Sequence, residues 1–301
     1  QHLEEIHHIN LERNLEILEQ VAEINSTLNA HGISPVYTKG VAHLLEELYH
    51  SPGDRIMVDI DFLVKKEEMM KAAEILLSEG YFRAFPKGVL KTEIRKHYPR
   101  IIKEGRRAGV EIHHSPVTKK YVSIFSNKKN QKTKKHPKTR NDCYVLSDGD
   151  KLIHNFIHSQ LEHKGHRNGT VYLKNLHDFY LLSKNVDVQE TFDTFGYYKK
   201  HTEVYRQLAY KAFRNKTDPG VTKLAPHRFY HFRFRWNIQS RMVVYLTYFF
   251  LFIPPKIFRH YVYKPFLAIF NKDVRKHLLS YLRNPKAIRR HLASYRKVIT
   301  K

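Results

Sequence analysis

The sequence predicts an α+β protein in which helices and strands are mixed in the front part and an all-α C-terminal part follows. Apolar residues recur at helical spacing in residues 3–30, and the run at 56–64 has the alternation of a strand. From residue 148 onward the spacing is helical throughout. With 301 residues, the chain is long enough for one large domain or two smaller ones with a buried core.

The first helix is predicted from Leu3 to Ala30, because Leu and Ile residues recur every three to four positions and Gly32 closes the pattern. An extended run at 33–38 and a second helix at 41–49 follow. A Ser-Pro-Gly-Asp turn at 51–54 then leads to the clearest strand of the chain.

This acidic strand spans Ile56–Val64 and alternates apolar residues with two aspartates. A helix is predicted at 67–78, closed by Gly80. The front part is completed by a strand, a hairpin turn and a further strand, at 98–102, 105–109 and 110–113.

The back part begins after a basic segment. Residues 126–140 contain seven basic residues and no acidic one, so they are predicted to form a solvated, mobile loop. Ser147 is predicted to cap a helix that runs to Glu162. Further helices are predicted at 171–183, 188–198 and 203–213. The predicted domains are therefore 1–147 with the N-terminal helix, a helical domain at 148–232 and a basic aromatic helical tail at 233–301.

Composition excludes several classes of protein. A single cysteine, Cys143, excludes a disulfide framework within the monomer and a multi-cysteine zinc site, and it favours a reducing cytoplasm. No signal peptide is visible at the start of the chain. The longest apolar run, Met242–Ile253, is shorter than the roughly 20 residues that span a bilayer.

The charge is unevenly distributed. The net charge is +24, and residues 200–301 hold 23 basic and 3 acidic residues, which leaves residues 1–199 almost neutral. The basic part is expected to meet an anionic partner, or else to be an ordinary solvated surface. Its tail mixes basic and aromatic residues, which suits a membrane surface, RNA, or simple helix packing. The apolar run favours a lipid surface over RNA, so a peripheral place on the inner membrane surface is the expected alternative to a purely cytoplasmic protein.

Two carboxylates point to metal chemistry. Asp59 and Asp61 lie two apart on the acidic strand, so both carboxylates are expected on one face, with Val58, Ile60 and Phe62 on the other. Their mutual repulsion would be relieved by a divalent cation such as Mg²⁺. Glu111, on a later strand, is the best candidate for a third carboxylate of a two-metal site that supports phosphoryl displacement. The alternative is a solvated strand end.

Lys39-Gly40 lies between a strand and a predicted helix. A glycine there lets the backbone approach a ligand, and the adjacent positive charge suits a phosphate. Arg55, just before the acidic strand, is a second candidate for a phosphate contact. A turn glycine and two surface cations are the alternative interpretation.

Several histidines surround these candidates. His154 and His158 lie four apart on a predicted helix, which allows a transition-metal site or a structural stripe. His113 is expected on the same strand face as Glu111, where it would support the carboxylates, touch the substrate or be buried.

Together, Tyr37-Thr38-Lys39-Gly40, Pro52-Gly53, Arg55, the segment 59–64 and Val110-Glu111-Ile112-His113 resemble the uncharacterised bacterial nucleotidyltransferase family of the DNA polymerase β-like superfamily. The resemblance covers about residues 10–180. It implies a polymerase β-like core, a mixed β-sheet flanked by helices, with Asp59, Asp61 and Glu111 as metal ligands. It also matches His158 and Asp178 to family positions that orient the acceptor or pair with each other.

The resemblance implies an enzyme that moves a nucleoside monophosphate from an NTP to an acceptor hydroxyl or phosphate and releases pyrophosphate. Two Mg²⁺ or Mn²⁺ ions would be held by the three carboxylates, and Glu111 would also help to deprotonate the acceptor. Lys39, Gly40 and Arg55 would hold the triphosphate. Two alternatives stay open: a catalytically weak nucleotide-binding module that docks on membrane or RNA, and a toxin-type transferase acting on tRNA or protein.

Overall fold

The computed structural model describes residues 2–84, 96–126, 133–135, 143–214, 242, 246, 250 and 258–282. Over this part of the chain the fold is α+β, with a mixed seven-stranded sheet and flanking helices. The front elements, in chain order, are α1 (His2–Ala30), β1 (Val36–Tyr37), α2 (Lys39–Leu45), β2 (Asp59–Leu63), α3 (Met69–Ser78), β3 (Phe82–Arg83), β4 (Ile101–Ile102), β5 (Gly109–His113), α4 (Val122–Ser126), β6 (Thr133–Lys135) and β7 (Tyr144–Leu146).

The sheet has the order β3-β4-β5-β2-β1-β7-β6. Strand β2 is parallel to β5, and β1 is parallel to β7, whereas the other neighbouring pairs are antiparallel. The two acidic strands of the sequence are therefore hydrogen-bonded neighbours, although about fifty residues separate them.

The faces of the sheet differ in chemistry. Ile60 and Phe62 on β2, with Val110 and Ile112 on β5, belong to a hydrophobic cluster that also includes residues of α1 and α3. A second hydrophobic cluster lies mostly in the helical part, and Leu63 of the sheet packs against it. Because side chains alternate along a strand, the burial of Ile60 and Phe62 places Asp59 and Asp61 on the opposite face, as predicted. The prediction is wrong for Val58, which lies before the start of β2 and is exposed.

The helical part contains α5 (Asp148–Phe156), a π-helix at Ile157–Glu162, α6 (Gly165–Asn168), α7 (Leu173–Leu182), α8 (Val188–Thr191), a 3₁₀ helix at Asp193–Tyr198 and α9 (Lys199–Arg214). The predicted cap is confirmed, because the Ser147 side chain accepts a hydrogen bond from the Asp150 amide at 3.2 Å. The predicted helices over 148–162 and 188–198 change type along their length, a change that apolar spacing does not reveal.

Sequence patterns missed three of the short strands. β3, β6 and β7 have two or three residues each, too few for alternation to be visible. The prediction of a loop over 126–140 is wrong at Thr133–Lys135, which pair antiparallel with β7. The second helix starts at Lys39 instead of 41 and ends at Leu45 instead of 49.

The chain divides into two compact units: Gln1–Gly165 with Val171–Leu224, and His166–Thr170 with Ala225–Lys301. The domain boundaries at 147/148 and 232/233 stay a prediction. In the second unit a π-helix (Phe258–Tyr263), α10 (Lys264–Phe270) and α11 (Lys272–Leu282) are described, and most of the apolar run 242–253 lies outside the described residues. Within the described residues, none of the helices has the length and apolar character needed to cross a bilayer.

Candidate active site

The register of two parallel strands brings the predicted carboxylates together. In the β2–β5 pair, Asp61 is the direct partner of Glu111, and Asp59 is the partner of Gly109. His113 lies two residues beyond Glu111 on the same face, with its Nε2 atom 3.0 Å from Asp61 Oδ1 and 3.4 Å from Glu111 Oε2. The sheet thus concentrates two carboxylates and an imidazole at one place.

Asp61 is the centre of this group. Its side chain is only 8% exposed and contacts the ammonium of Lys39 as well as His113. Burial alone would raise the pKa of Asp61, but Lys39 and the hydrogen bond with His113 outweigh it and hold this pKa well below its usual range. Burial would lower the pKa of Lys39, and Asp61 reverses this, so both groups are charged.

Lys39 has an unusual backbone. It is the first residue of α2 and has a φ of +52°, in the left-handed region that side-chain-bearing residues rarely adopt. Such conformations cost about 1–3 kcal/mol and concentrate at functional sites. The residue before Lys39, Thr38, is anchored to β2, because its amide donates a hydrogen bond to the carbonyl oxygen of Asp61 at 3.0 Å. The strained turn therefore directs the ammonium of Lys39 to the carboxylates.

Asp61, Glu111 and His113 could hold a divalent cation. Each offers one ligand atom, and these atoms lie within 4.8 Å of one another. Two carboxylates and an imidazole form a donor set that suits a divalent metal. Within the described residues, the histidine stripe with His154 and His158 does not form such a group.

Asp59 is engaged elsewhere in this structure. Its Oδ1 atom lies 2.6 Å from Nη2 of Arg100, so it stands outside the group of Asp61, Glu111 and His113. Burial raises the pKa of Asp59, Arg100 opposes this, and repulsion from Asp61 and Glu111 adds to it. Gly109 makes room for the arginine, since a Cβ at this position would overlap Nε of Arg100.

Arg55 lies in the cavity wall but is bound to a carboxylate. It is 7% exposed, and its Nε and Nη2 atoms donate to Asp178 at 3.0 and 2.7 Å. Tyr49 donates its hydroxyl to the same carboxylate, and His43 Nδ1 lies 3.4 Å from it. Burial lowers the pKa of Arg55 to about 10 and raises that of Asp178.

This network corrects one expectation from the sequence. Asp178 on α7 binds Arg55, so it does not pair with His158, whose carboxylate neighbour is Glu162. In this structure Gly40 makes room for the side chain of Arg55, because a Cβ at this position would overlap Nη1 of Arg55 and Sδ of Met57. The segment that carries Arg55 is held by Asn14 of α1, whose side-chain amide donates hydrogen bonds to the carbonyl oxygens of Pro52 and Arg55.

Gly40→Ala is expected to lower the free energy of unfolding by about 1–3 kcal/mol, because the added methyl group must displace the buried Arg55 side chain. The measurement is urea denaturation followed by circular dichroism. Gly149→Ala in α5 is the matched control, since its Cβ would meet nothing closer than Thr191 Oγ1 at 3.9 Å. An equal stability of both variants and the parent would contradict the packing role of Gly40.

The carboxylates open into a cavity of about 450 Å³. One side is formed by the sheet and α2, and the other by helical residues that include His154, His158, Glu162 and Lys174. Lys96 also lines the cavity, and its ammonium donates a hydrogen bond to Glu162 Oε2 at 2.7 Å. The cavity is therefore lined by positively and negatively charged side chains and by several imidazoles, which suits a polar, anionic ligand.

Sequence reasoning missed Lys96 and Glu162 as members of the cavity, and it missed Arg100 as the partner of Asp59. No pattern marks the two cations, because they lie in a segment where basic residues are common. Glu162 had one signal, its position four residues after His158 on a predicted helix.

A mixed sheet with carboxylates on neighbouring strands beside a Lys-Gly turn is consistent with a nucleotidyltransferase core. The family model described as "Uncharacterised nucleotidyltransferase" matches residues 1–210. The chain therefore belongs to this uncharacterised nucleotidyltransferase family, as the resemblance indicated. No curated protein matches the chain significantly.

Proposed function

We propose that this protein transfers a nucleoside monophosphate from a nucleoside triphosphate to an acceptor hydroxyl or phosphate and releases pyrophosphate. The family match supports an NTP substrate. The observation that carries the proposal is the pairing of Asp61 with Glu111 on parallel strands, next to the ammonium of Lys39 and inside one cavity.

Asp61, Glu111 and His113 would hold a divalent cation, Mg²⁺ or Mn²⁺. Bound there, it would supply positive charge to phosphate oxygens. A second ion would need Asp59, which contacts Arg100 here, so the pair of ions remains a proposal. Lys39 is proposed to bind phosphate oxygens, since its charge lies in the cavity. Gly40 and Arg55 are proposed to shape the phosphate side of the cavity.

In the transfer, an acceptor oxygen forms a bond to the α-phosphorus, and the bond from this phosphorus to the bridging oxygen breaks. Pyrophosphate leaves with the electron pair of that bond, and a hydroxyl acceptor gives up its proton to a base. The chain's own contribution is to position the triphosphate and to exclude competing water.

For the excess of positive charge in residues 200–301, we also propose an anionic partner, a membrane surface rather than RNA. Neither alternative function, a weak nucleotide-binding module or a toxin-type transferase, has support in the family match or in the described contacts.

The test uses the full-length protein with each of the four α-³²P-labelled NTPs and a cell extract, with Mg²⁺, with Mn²⁺ or with a chelator. We expect label on an acceptor only when a divalent cation is present. The matched control is the γ-³²P-labelled NTP, whose label should leave with pyrophosphate. Transfer of the γ label instead would indicate a kinase and contradict the proposal, and so would the absence of any transfer of the α label.

A further inference from the structure

The helical wall of the cavity contains a rare backbone form. After Phe156, α5 continues as a π-helix over Ile157–Glu162. Segments of π-helix are uncommon and often lie at functional sites. Two cavity residues, His158 and Glu162, lie on this segment. The local geometry therefore singles out this pair.

Glu162 is held firmly and lies beside His158. Its Oε1 atom accepts a hydrogen bond from the Thr118 amide at 2.6 Å, and its Oε2 atom accepts one from Lys96 at 2.7 Å. The Nδ1 atom of His158 is 3.5 Å from Oε2. Such contacts between a base and its orienting group are commonly long before a substrate is bound.

The other ring nitrogen of His158 is available to a ligand. The side chain of His158 lines the cavity, and none of the described residues forms a hydrogen bond with its Nε2 atom. Burial lowers the pKa of His158, although Glu162 opposes this shift, so the imidazole is neutral near pH 7. A neutral imidazole with a carboxylate on one nitrogen can accept a proton on the other.

His154 supplies an independent observation. It lies one turn before His158, its side chain is buried, and it also lines the cavity. Its Nε2 atom is buried without a hydrogen-bond partner among the described residues. An unsatisfied buried polar atom costs about 1–3 kcal/mol, which a polar group of a ligand would recover. The helical wall of the cavity therefore offers an unpaired ring nitrogen to a hydrogen-bond donor or acceptor of a ligand.

We propose that His158 is the base that takes the proton of an acceptor hydroxyl, that Glu162 positions its ring, and that His154 binds the acceptor. In the step, the acceptor O–H bond breaks and its proton moves to His158 Nε2, while the oxygen forms its bond to the α-phosphorus. The bond to the leaving pyrophosphate breaks as described above. His158 takes this role in place of Glu111, because Glu111 is proposed to act as a ligand of the cation.

This inference rests on the proposed function and narrows its substrate class. A phosphate acceptor is already ionised at neutral pH and needs no base, whereas a hydroxyl does. The acceptor is therefore a hydroxyl compound, and the product is a phosphodiester. A ³¹P NMR spectrum of the isolated product should show a phosphodiester signal, and a diphosphate signal would overturn the inference.

His158→Gln is expected to lower the rate of α-label transfer to the extract by about 100-fold or more, the usual contribution of a general base. Binding of Mg-ATP, measured by calorimetry, should not change. Glu162→Gln should reduce kcat with little effect on the KM for ATP, since it acts through His158. His8→Gln is the matched control, because His8 forms the same i,i+4 pair with Glu12, at 3.2 Å, on the exposed surface of α1.

A rescue experiment separates a chemical from a structural role. His158→Ala should regain activity when imidazole is added, since the free base can occupy the space that the side chain leaves. Transfer by the parent together with an unimpaired His158→Gln variant would overturn this inference alone. So would a His158→Ala variant that binds Mg-ATP but is not rescued. The absence of transfer by the parent would overturn the proposed function, and this inference with it.

Discussion

Asp61→Asn is expected to slow nucleotide transfer by about 1000-fold or more, which corresponds to roughly 4 kcal/mol of lost transition-state stabilisation. The reason is its position, because one buried carboxylate contacts Lys39 and His113 and is the register partner of Glu111. The measurement is the initial rate of α-label transfer at saturating NTP. Asparagine keeps the shape of the side chain, so the change removes mainly the charge.

The control for this variant is Asp193→Asn. Asp193 also pairs with a lysine, Lys199, with 2.6 Å between the charged atoms, but its side chain is 70% exposed. Its removal should leave the rate unchanged. Circular dichroism of both variants checks that they are folded. An Asp61→Asn protein that is folded and keeps more than a tenth of the parent's rate would contradict the assigned role.

Asp178→Asn is expected to lower the free energy of unfolding by about 3–5 kcal/mol, because it leaves the buried guanidinium of Arg55 without its counter-charge. Tyr49 and His43 lose the same charged acceptor. The measurement is the midpoint and slope of urea unfolding. This is the largest stability effect that the contacts of the described residues lead us to expect.

Two comparisons sharpen this test. Asp193→Asn breaks an exposed pair and should leave the stability nearly unchanged, because solvent screens such pairs. The double variant Arg55→Met Asp178→Leu removes both charges, so it should recover much of the stability lost in Asp178→Asn. A cost for Asp178→Asn as small as that of the surface variant would show that the network does not stabilise the fold.

Local patterns in the sequence anticipated many of the elements. Helical spacing predicted α1 and α3 closely, and alternation predicted that Asp59 and Asp61 share one face of β2. These predictions succeed because apolar periodicity reflects which side of an element is buried. The strands that were missed, such as β3 and β6, have only two or three residues, too few for a periodicity to be detected.

The partners of the charged residues were not predictable in the same way. Arg55 was expected to contact a phosphate group, and in this structure its guanidinium donates a hydrogen bond to Asp178, which lies 123 residues away in the chain. Asp59 was expected to join Asp61, and here it contacts Arg100. A charged side chain can reach several opposite charges, and the sequence does not indicate which of them the fold will bring within contact distance.

The sequence by itself determined the α+β class, the acidic strand, the Lys39-Gly40 turn and the resemblance to the family that the chain belongs to. Each of these depends on residues that are close in sequence, where the spacing of side chains fixes their mutual geometry. Only the tertiary structure decided that Asp61 faces Glu111, that Gly40 makes room for Arg55 and that Lys96 and Thr118 hold Glu162. These contacts depend on strand register and on packing between distant segments, which are set by the burial of the whole core.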